Sequence, residues 1–300
     1  YEDWQDLVNN PNNPFLNRAI QSQYPPGSTF KIITTIAGLE ERVITEDSRF
    51  ECRGSINIGR IFKCWKKEGH GNTDLYRAVV ESCDVFFYEV GKRLGVDALA
   101  QYASEFGLGK PVGIELEGEK PGLVPSTAWK LNTKNQKWFM GETLNTAIGQ
   151  GYLSATPIQM ASLMSTVANG GKFYKPHLIK NSVKGTAVEK TVKISPETLN
   201  FVKKALAGVV SEKSGTGRIA YSSIIPIGGK TGTAQVISGD KTLAGYRDHA
   251  WFVAFAPEEN PRIAVTVFIE HGGHGSSAAA PIAKKIIEEF YKKNLDSEQK

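Results

Sequence analysis

Long apolar runs are missing from this 300-residue chain, and no stretch approaches the roughly 20 residues needed to cross a bilayer. A basic, apolar, small-residue leader is missing too, so any membrane anchor or export signal is expected outside the chain. There is no internal repeat and no low-complexity linker. Charge of one sign is not concentrated anywhere. The 36 basic and 31 acidic residues leave a net +5 without a basic stripe or an Arg-rich arm, so nucleic acid is not expected as a partner. A mildly basic surface would still suit an anionic polymer or an anionic lipid face. Cysteine is scarce, at three residues: Cys52, Cys64 and Cys83. What is left, 40% hydrophobic and 22% charged, is an ordinary globular composition long enough for one large domain or two small ones.

Residues 1–27 are polar, rich in Asn and Pro, and read as an irregular approach. Pro25, Pro26 and Gly27 then form a turn into a predicted helix over Ser28–Glu41. Phe50–His70 reads as a hairpin region. Further helices are predicted over Tyr76–Leu94, Asp97–Phe106, Thr156–Asn169 and Pro196–Val210, the last with Leu199, Val202, Leu206 and Val209 on one face. The final hundred residues change character. Ile227–Val236, His249–Ala256 and Arg262–Glu270 read as strands, and Pro281–Lys293 as a closing helix. Helices followed by three closely connected strands and a helix predict an α/β fold of the α+β type, with an antiparallel sheet covered by helices.

Ser28 and Lys31 form S-x-x-K at a helix start. Residues three apart share a helix face, so the amine can reach the hydroxyl. A serine hydroxyl is a poor nucleophile until a base takes its proton. A lysine made neutral by burial and neighbouring positive charge can be that base. The helix N-terminus adds N–H groups near the reacting carbonyl. Alone the pattern is weak, but two more elements accompany it. Lys230, Thr231, Gly232 and Thr233 form K-T-G-T on a predicted strand, where glycine would let a substrate backbone approach. Ser82-Cys83-Asp84 lies between the two. The three together, in this order, are the joint signature of serine acyl-transfer enzymes that react with β-lactams.

On these motifs the chain resembles the transpeptidase domain of the class B penicillin-binding proteins. NRAIQSQYPPGSTFK, TAIGQGYLSATPIQMA, GGKTGTAQ, DHAWFVAFAP and AAAPIAKKI extend the resemblance over nearly the whole chain. GHGNTDLYRAVVESCDVFFYEVG is similar to the elongation-type members, the penicillin-binding proteins 2. The resemblance implies a penicillin-binding, serine β-lactamase-like fold with an additional all-helical subdomain. It implies one transpeptidase domain over residues 1–300, with a membrane anchor and pedestal domain elsewhere, on the periplasmic side of a bacterial inner membrane. Ser28 would attack the carbonyl between two terminal D-alanines of a peptidoglycan stem peptide, and Lys31 would take its proton. Ser82 and Lys230 would relay the proton to the leaving D-alanine, and Thr231 and Thr233 would hold the terminal carboxylate. Backbone N–H groups of Ser28 and Thr233 would form the oxyanion hole, and β-lactams would trap Ser28. A membrane glycosyltransferase and elongation-complex proteins are the implied partners. The acyl-transfer chemistry needs no cofactor.

Two features stand apart. The second motif ends in Asp84 where Asn is commoner; an ionised Asp only accepts, so Asp84 is expected to pair with Lys31 or with a substrate N–H. Cys52, Cys64, His70 and Cys83 make a Cys₃His set, a standard structural zinc shell, and some penicillin-binding proteins 2 are similar in having a metal beside the second motif. A Cys52–Cys64 disulfide with a buried Cys83 thiol, or three core cysteines, are the alternatives. Tyr246, Arg247 and His249 are expected at the cleft rim, His271 and His274 in a Gly-rich loop, and Glu142 in a structural role. A β-lactamase is the rival enzyme, for which no deacylating base is evident. A β-lactam-sensing domain is the non-enzymatic rival.

Overall fold

The structure, a computed structural model, describes residues 2–179, 188–235 and 247–298. Helix α1 (Glu2–Val8) and the single turn α2 (Arg18–Gln21) lead to a 3-10 turn over Gly27–Phe30 and then to α3 (Lys31–Glu40). Four short strands follow: β1 (Arg49–Cys52), β2 (Ser55–Ile58), β3 (Arg60–Lys63) and β4 (Gly71–Asp74). Next come α4 (Leu75–Val80), α5 (Asp84–Glu105), α6 (Thr127–Lys134), α7 (Met140–Ala147) and α8 (Pro157–Ala168). Strand β5 (Lys172–Tyr174) pairs with β6 (Val188–Thr191) ahead of α9 (Pro196–Ser211). The chain closes with β7 (Gly228–Ala234), β8 (His249–Ala256), β9 (Ile263–Ile269), α10 (Gly275–Ala278) and α11 (Ala280–Glu298).

The last three strands form an antiparallel sheet in the order β7-β8-β9, as the strand pattern predicts. Every residue of β8 is buried, because both faces of the sheet are covered. Trp251, Val253 and Phe255 point into the main core with α3, α5, α8 and α9. Ala250, Phe252, Ala254 and Ala256 face Ala279, Ala280, Ala283 and Ile287 at the start of α11. Small residues on both sides of that second layer let the helix lie close to the sheet. Strand β7 is one of the sheet's two edge strands, so its outer edge pairs with no other strand of the sheet.

Two expected helices are divided differently. The helix expected over Tyr76–Leu94 is broken, with α4 ending at Val80 and α5 starting at Asp84. Ser82 between them has φ 57°, a left-handed conformation that no helix continues through. Beyond the break, α5 runs on through the second expected helix with a kink at Gly95 (φ 77°, ψ 163°). Helices α8 and α9 match expectation and are well capped: Thr156 accepts from the Gln159 N–H, and Ser195 from the Thr198 N–H, each ahead of a proline. The region over Phe50–His70 is two nested antiparallel pairs, β1 with β4 around β2 with β3. Val236, the predicted end of the first strand, lies outside the described residues.

Candidate active site

Ser28 sits in the 3-10 turn that precedes α3, so the predicted helix begins as a tighter turn at its nucleophile. The turn is fastened from three sides. The Gly27 N–H donates to Gly149 O at 2.9 Å, the Trp251 indole donates to Pro25 O at 3.0 Å, and Thr29 Oγ1 donates to Pro26 O at 2.7 Å. Gly27 has φ 56°, and a Cβ there would lie 2.5 Å from Thr233 O, so the turn can meet β7 only through glycine. Gly232 answers it from the strand. A Cβ on Gly232 would lie 2.8 Å from Pro26 O and 2.9 Å from Thr29 Cγ2, so that glycine makes room for the nucleophile's own turn.

Lys31 opens α3 and is fully buried. Its Nζ donates to Ser82 O at 3.0 Å, Ser82 Oγ at 3.1 Å and Asp84 Oδ1 at 2.6 Å, which accounts for the three donors of an ammonium. Asp84 therefore pairs with Lys31, as expected. Its other oxygen accepts from the Trp65 backbone N–H at 2.9 Å. Lys230 on β7 is buried as completely as Lys31. Burial, and then the charge of Lys31, push the Lys230 amine well below its ordinary value, against the opposing pull of Asp84.

Ser28, Ser82, Asp84, Thr231, Gly232 and Thr233 line one cleft of about 1180 Å³. Lys31 and Lys230 lie beneath it. Gln150 Nε2 donates to Thr233 O at 3.0 Å, so the Thr233 carbonyl points away from β8. In an antiparallel strand a residue's N–H and C=O point to the same side, so the Thr233 N–H also faces the cleft. Thr231 Oγ1 donates to Thr216 Oγ1 at 2.8 Å. Thr216, in Ser214-Gly215-Thr216-Gly217, was not singled out by sequence; a hydroxyl between two glycines is the one local sign it offers. Trp65, Asn145, Gln150 and Asp248 also line the cleft; Gln150 and Asp248 fall in the TAIGQG and DHAWFVAFAP stretches, whereas Trp65 lies outside every stretch that carries the resemblance.

His249 is buried under Tyr24, Phe268 and His271 rather than placed at the rim, and Tyr246 lies outside the described residues. His274, expected in a Gly-rich loop, lines the cleft. Glu142 accepts from Lys130 Nζ at 2.5 Å and from the Phe139 N–H at 2.8 Å, a structural role as expected.

The ligand atoms of Cys52, Cys64, His70 and Cys83 all lie within 4.8 Å of one another, and all four residues are buried. The three cysteines are unbridged in this structure. His70 Nδ1 stands 3.6 Å from Cys52 Sγ and 3.5 Å from Cys64 Sγ. His70 Nε2 has no hydrogen-bond partner and lies 4.0 Å from Glu81 Oε2. A hydrogen bond from Cys83, with one from His70, lowers Cys64 far below an ordinary thiol, and the same contact raises Cys83. Four soft and imidazole donors around one point, one ring nitrogen aimed inward and the other toward a carboxylate, fit a tetrahedral metal with its outer partner.

A model of the penicillin binding protein transpeptidase domain matches residues 3–288. The chain belongs to the penicillin-binding protein transpeptidase family. It is 37% identical to the peptidoglycan D,D-transpeptidase MrdA of Haemophilus influenzae, over 100% of the chain and 49% of that protein. It is 33% identical to MrdA of Escherichia coli, over 96% of the chain and 48% of that protein. Among solved structures it superposes on PBP2 from Helicobacter pylori with a TM-score of 0.89 at 37% identity, covering 97% of this chain and 54% of that one. Pseudomonas aeruginosa PBP2 in complex with WCK 5153 gives 0.88 at 36%, covering 96% and 63%. The chain spans about half the length of the curated relatives it matches. The expected transpeptidase fold and the family resemblance are both borne out.

Proposed function

We propose that this chain is the catalytic domain of a peptidoglycan D,D-transpeptidase of the elongation type, working through an acyl-enzyme on Ser28. The observation that carries the reading is the convergence of Ser28, Ser82 and Thr233 on one cleft, above two buried amines and along the free edge of β7. An extended peptide can add to that edge as a strand, which presents its terminal carbonyl to Ser28. Ser28 Oγ bonds to the carbonyl carbon while the N–H groups of Ser28 and Thr233 receive the oxyanion. Lys31 passes a proton through Ser82 Oγ, 3.1 Å away, toward Lys230, and accepts the Ser28 proton in its place. Lys230, whose amine burial and the charge of Lys31 push well below its ordinary value, is the sink. The same path run backward protonates the leaving D-alanine amine. Thr231 and Thr233 hold the terminal carboxylate. An amine from a second stem then takes the acyl group; water in its place gives residual carboxypeptidase hydrolysis.

Zinc in the Cys52–Cys64–His70–Cys83 shell would have a structural part, tying the β1–β4 strands to the Ser82–Asp84 turn, and would supply no acyl-transfer chemistry. No helix among the described residues is long and apolar enough to cross a membrane. The rest of a protein as long as its relatives would carry the anchor and pedestal, which would place this domain on the periplasmic side of the inner membrane. Helicobacter pylori PBP2 has been solved with MreC, and another relative within a peptidoglycan synthase complex. Such relatives support elongation-complex proteins and a membrane glycosyltransferase as partners here.

Native mass spectrometry after incubation with a β-lactam tests both parts. The expected result is a lasting adduct of one ligand mass, lost in Ser28→Ala, on protein carrying one zinc. Rapid drug hydrolysis without an adduct would make the chain a β-lactamase. No reaction would end the reading, and metal-free protein purified without chelators would end the zinc assignment.

A further inference from the structure

Ser82 is the strained point of the site. A non-glycine residue at φ 57° is strained and persists only where its surroundings hold it. Within the turn, the Ser82 N–H donates to Val79 O at a long 3.3 Å. The firmer contacts come from outside. Lys31 Nζ reaches Ser82 O, and the Trp65 indole Nε1 donates to the same oxygen at 3.0 Å and to Glu81 O at 3.1 Å. The Trp65 backbone N–H takes Asp84 Oδ2 while Lys31 takes Asp84 Oδ1. Trp65 and Lys31 thus grip the same two groups from opposite sides.

Burial does not explain this tryptophan, which is 58% exposed on the wall of the cleft. Its single ring donor is nonetheless spent on two carbonyls of the catalytic turn. The residue follows Cys64 directly, and its ring meets His70 edge-on with centroids 5.5 Å apart. We propose that Trp65 is a positioning residue: its indole and backbone N–H groups clamp Ser82 and Asp84 in catalytic register and link them to the Cys/His cluster. The inference rests on the reading of Ser82 as part of the acyl-transfer set. It predicts that the N–H, rather than the aromatic surface, is what matters to the reaction.

Trp65→Phe keeps the backbone N–H and a smaller aromatic ring and removes the indole donor, and Trp65→Ala controls for the lost ring surface. Acylation by a chromogenic β-lactam, followed to saturation, separates the maximal rate from the half-saturating concentration. The maximal rate of Trp65→Phe should fall by about 10- to 100-fold, the scale of a small misplacement of a reacting group, with little change in half-saturation. Trp65→Ala should lose no more rate than Trp65→Phe does. Amide hydrogen exchange over residues 79–86 in unreacted protein should accelerate in Trp65→Phe. A Trp65→Phe protein with the wild-type rate, or one changed only in half-saturation, would make the ring a cleft wall and overturn the clamp. Unchanged exchange over 79–86 would overturn it as well. If the wild-type protein forms no Ser28-dependent adduct, the transpeptidase reading fails while the exchange measurement still decides the clamp.

Discussion

Among the described residues two buried lysine–carboxylate pairs stand out, and only one of them is in the cleft. Lys31 and Asp84 are 2.6 Å apart with side chains 0% and 11% exposed; Lys130 and Glu142 are 2.5 Å apart at 2% and 22%. Each ammonium also faces aromatic rings: Phe87 at 5.4 Å for Lys31, and Phe139 at 4.8 Å with Trp138 and Tyr152 near 6 Å for Lys130. By burial and distance alone the two pairs are equivalent. What differs is the company they keep. Lys31 also binds a serine hydroxyl and lies close enough to a second buried amine, Lys230, for its charge to act on it. The remaining acceptor of Glu142 is spent on the Phe139 N–H at the start of α7, which caps a helix. A buried ion pair therefore marks a site only where a transferable proton has somewhere to go.

Removing the amine at each pair should separate the two roles. Lys31→Ala should lower the acylation rate of Ser28 by about 10⁴-fold, the scale seen when one member of a nucleophile–base set is deleted. Its circular dichroism should remain that of the folded protein. A Lys31→Ala enzyme within tenfold of wild type would break the comparison outright, because the pair in the cleft would then be as structural as the other. The complementary change, Lys130→Ala, should leave the acylation rate of the folded protein unchanged and lower its stability. Glu142 would lose its partner in a mostly buried setting, a loss of about 3 kcal/mol. Denaturant titration would register it as a lower midpoint at unchanged slope. A slow but fully stable Lys130→Ala protein would place the second pair in the reaction.

The sequence shows the cleft pair and hides the other for reasons that are physical. S-x-x-K is visible because Ser28 in the 3-10 turn and Lys31 at the start of α3 lie within one turn of continuous helical backbone, and K-T-G because it lies on one strand. Ser82-Cys83-Asp84 is visible as a motif, yet its conformation is not. Val79, Val80, Val85, Phe86, Phe87 and Val90 keep a helical pattern across the break, and the contacts that hold the break come from Lys31 and Trp65, distant in sequence. The Cys/His cluster was legible as a set of residue types. Its geometry depends on the pairing of β1 with β4, which sets Cys52 opposite Gly71 and so beside His70. The rim position expected of His249 fails because β8 is covered on both faces, so a residue at its end is packed under Tyr24 and Phe268 instead. Trp65 carries no local signal at all, since its partners, the Glu81 and Ser82 carbonyls and the Asp84 carboxylate, lie 16 to 19 residues away in the chain.

The smallest expected effect is the one that distinguishes the cleft pair most finely, because it belongs to Lys230 and has no counterpart beside Lys130. Burial and the charge of Lys31 lower the Lys230 amine in the folded protein, while the unfolded chain returns it to the ordinary lysine value. Between those two values the unfolded state binds the extra proton, so this group's contribution to stability grows as pH rises and is lost as pH falls through the folded value. Acylation should follow the same group, rising with pH along a limb centred below 10.5. Lys230→Met removes the titration without adding charge. Its melting temperature relative to wild type should fall steadily from neutral to alkaline pH, since the other lysines titrate alike in both proteins. A constant difference across that range would mean that Lys230 keeps its proton in the folded cleft. Ser82 would then have no neutral amine beyond it, and the proton taken from Ser28 would have to leave through solvent on the cleft side.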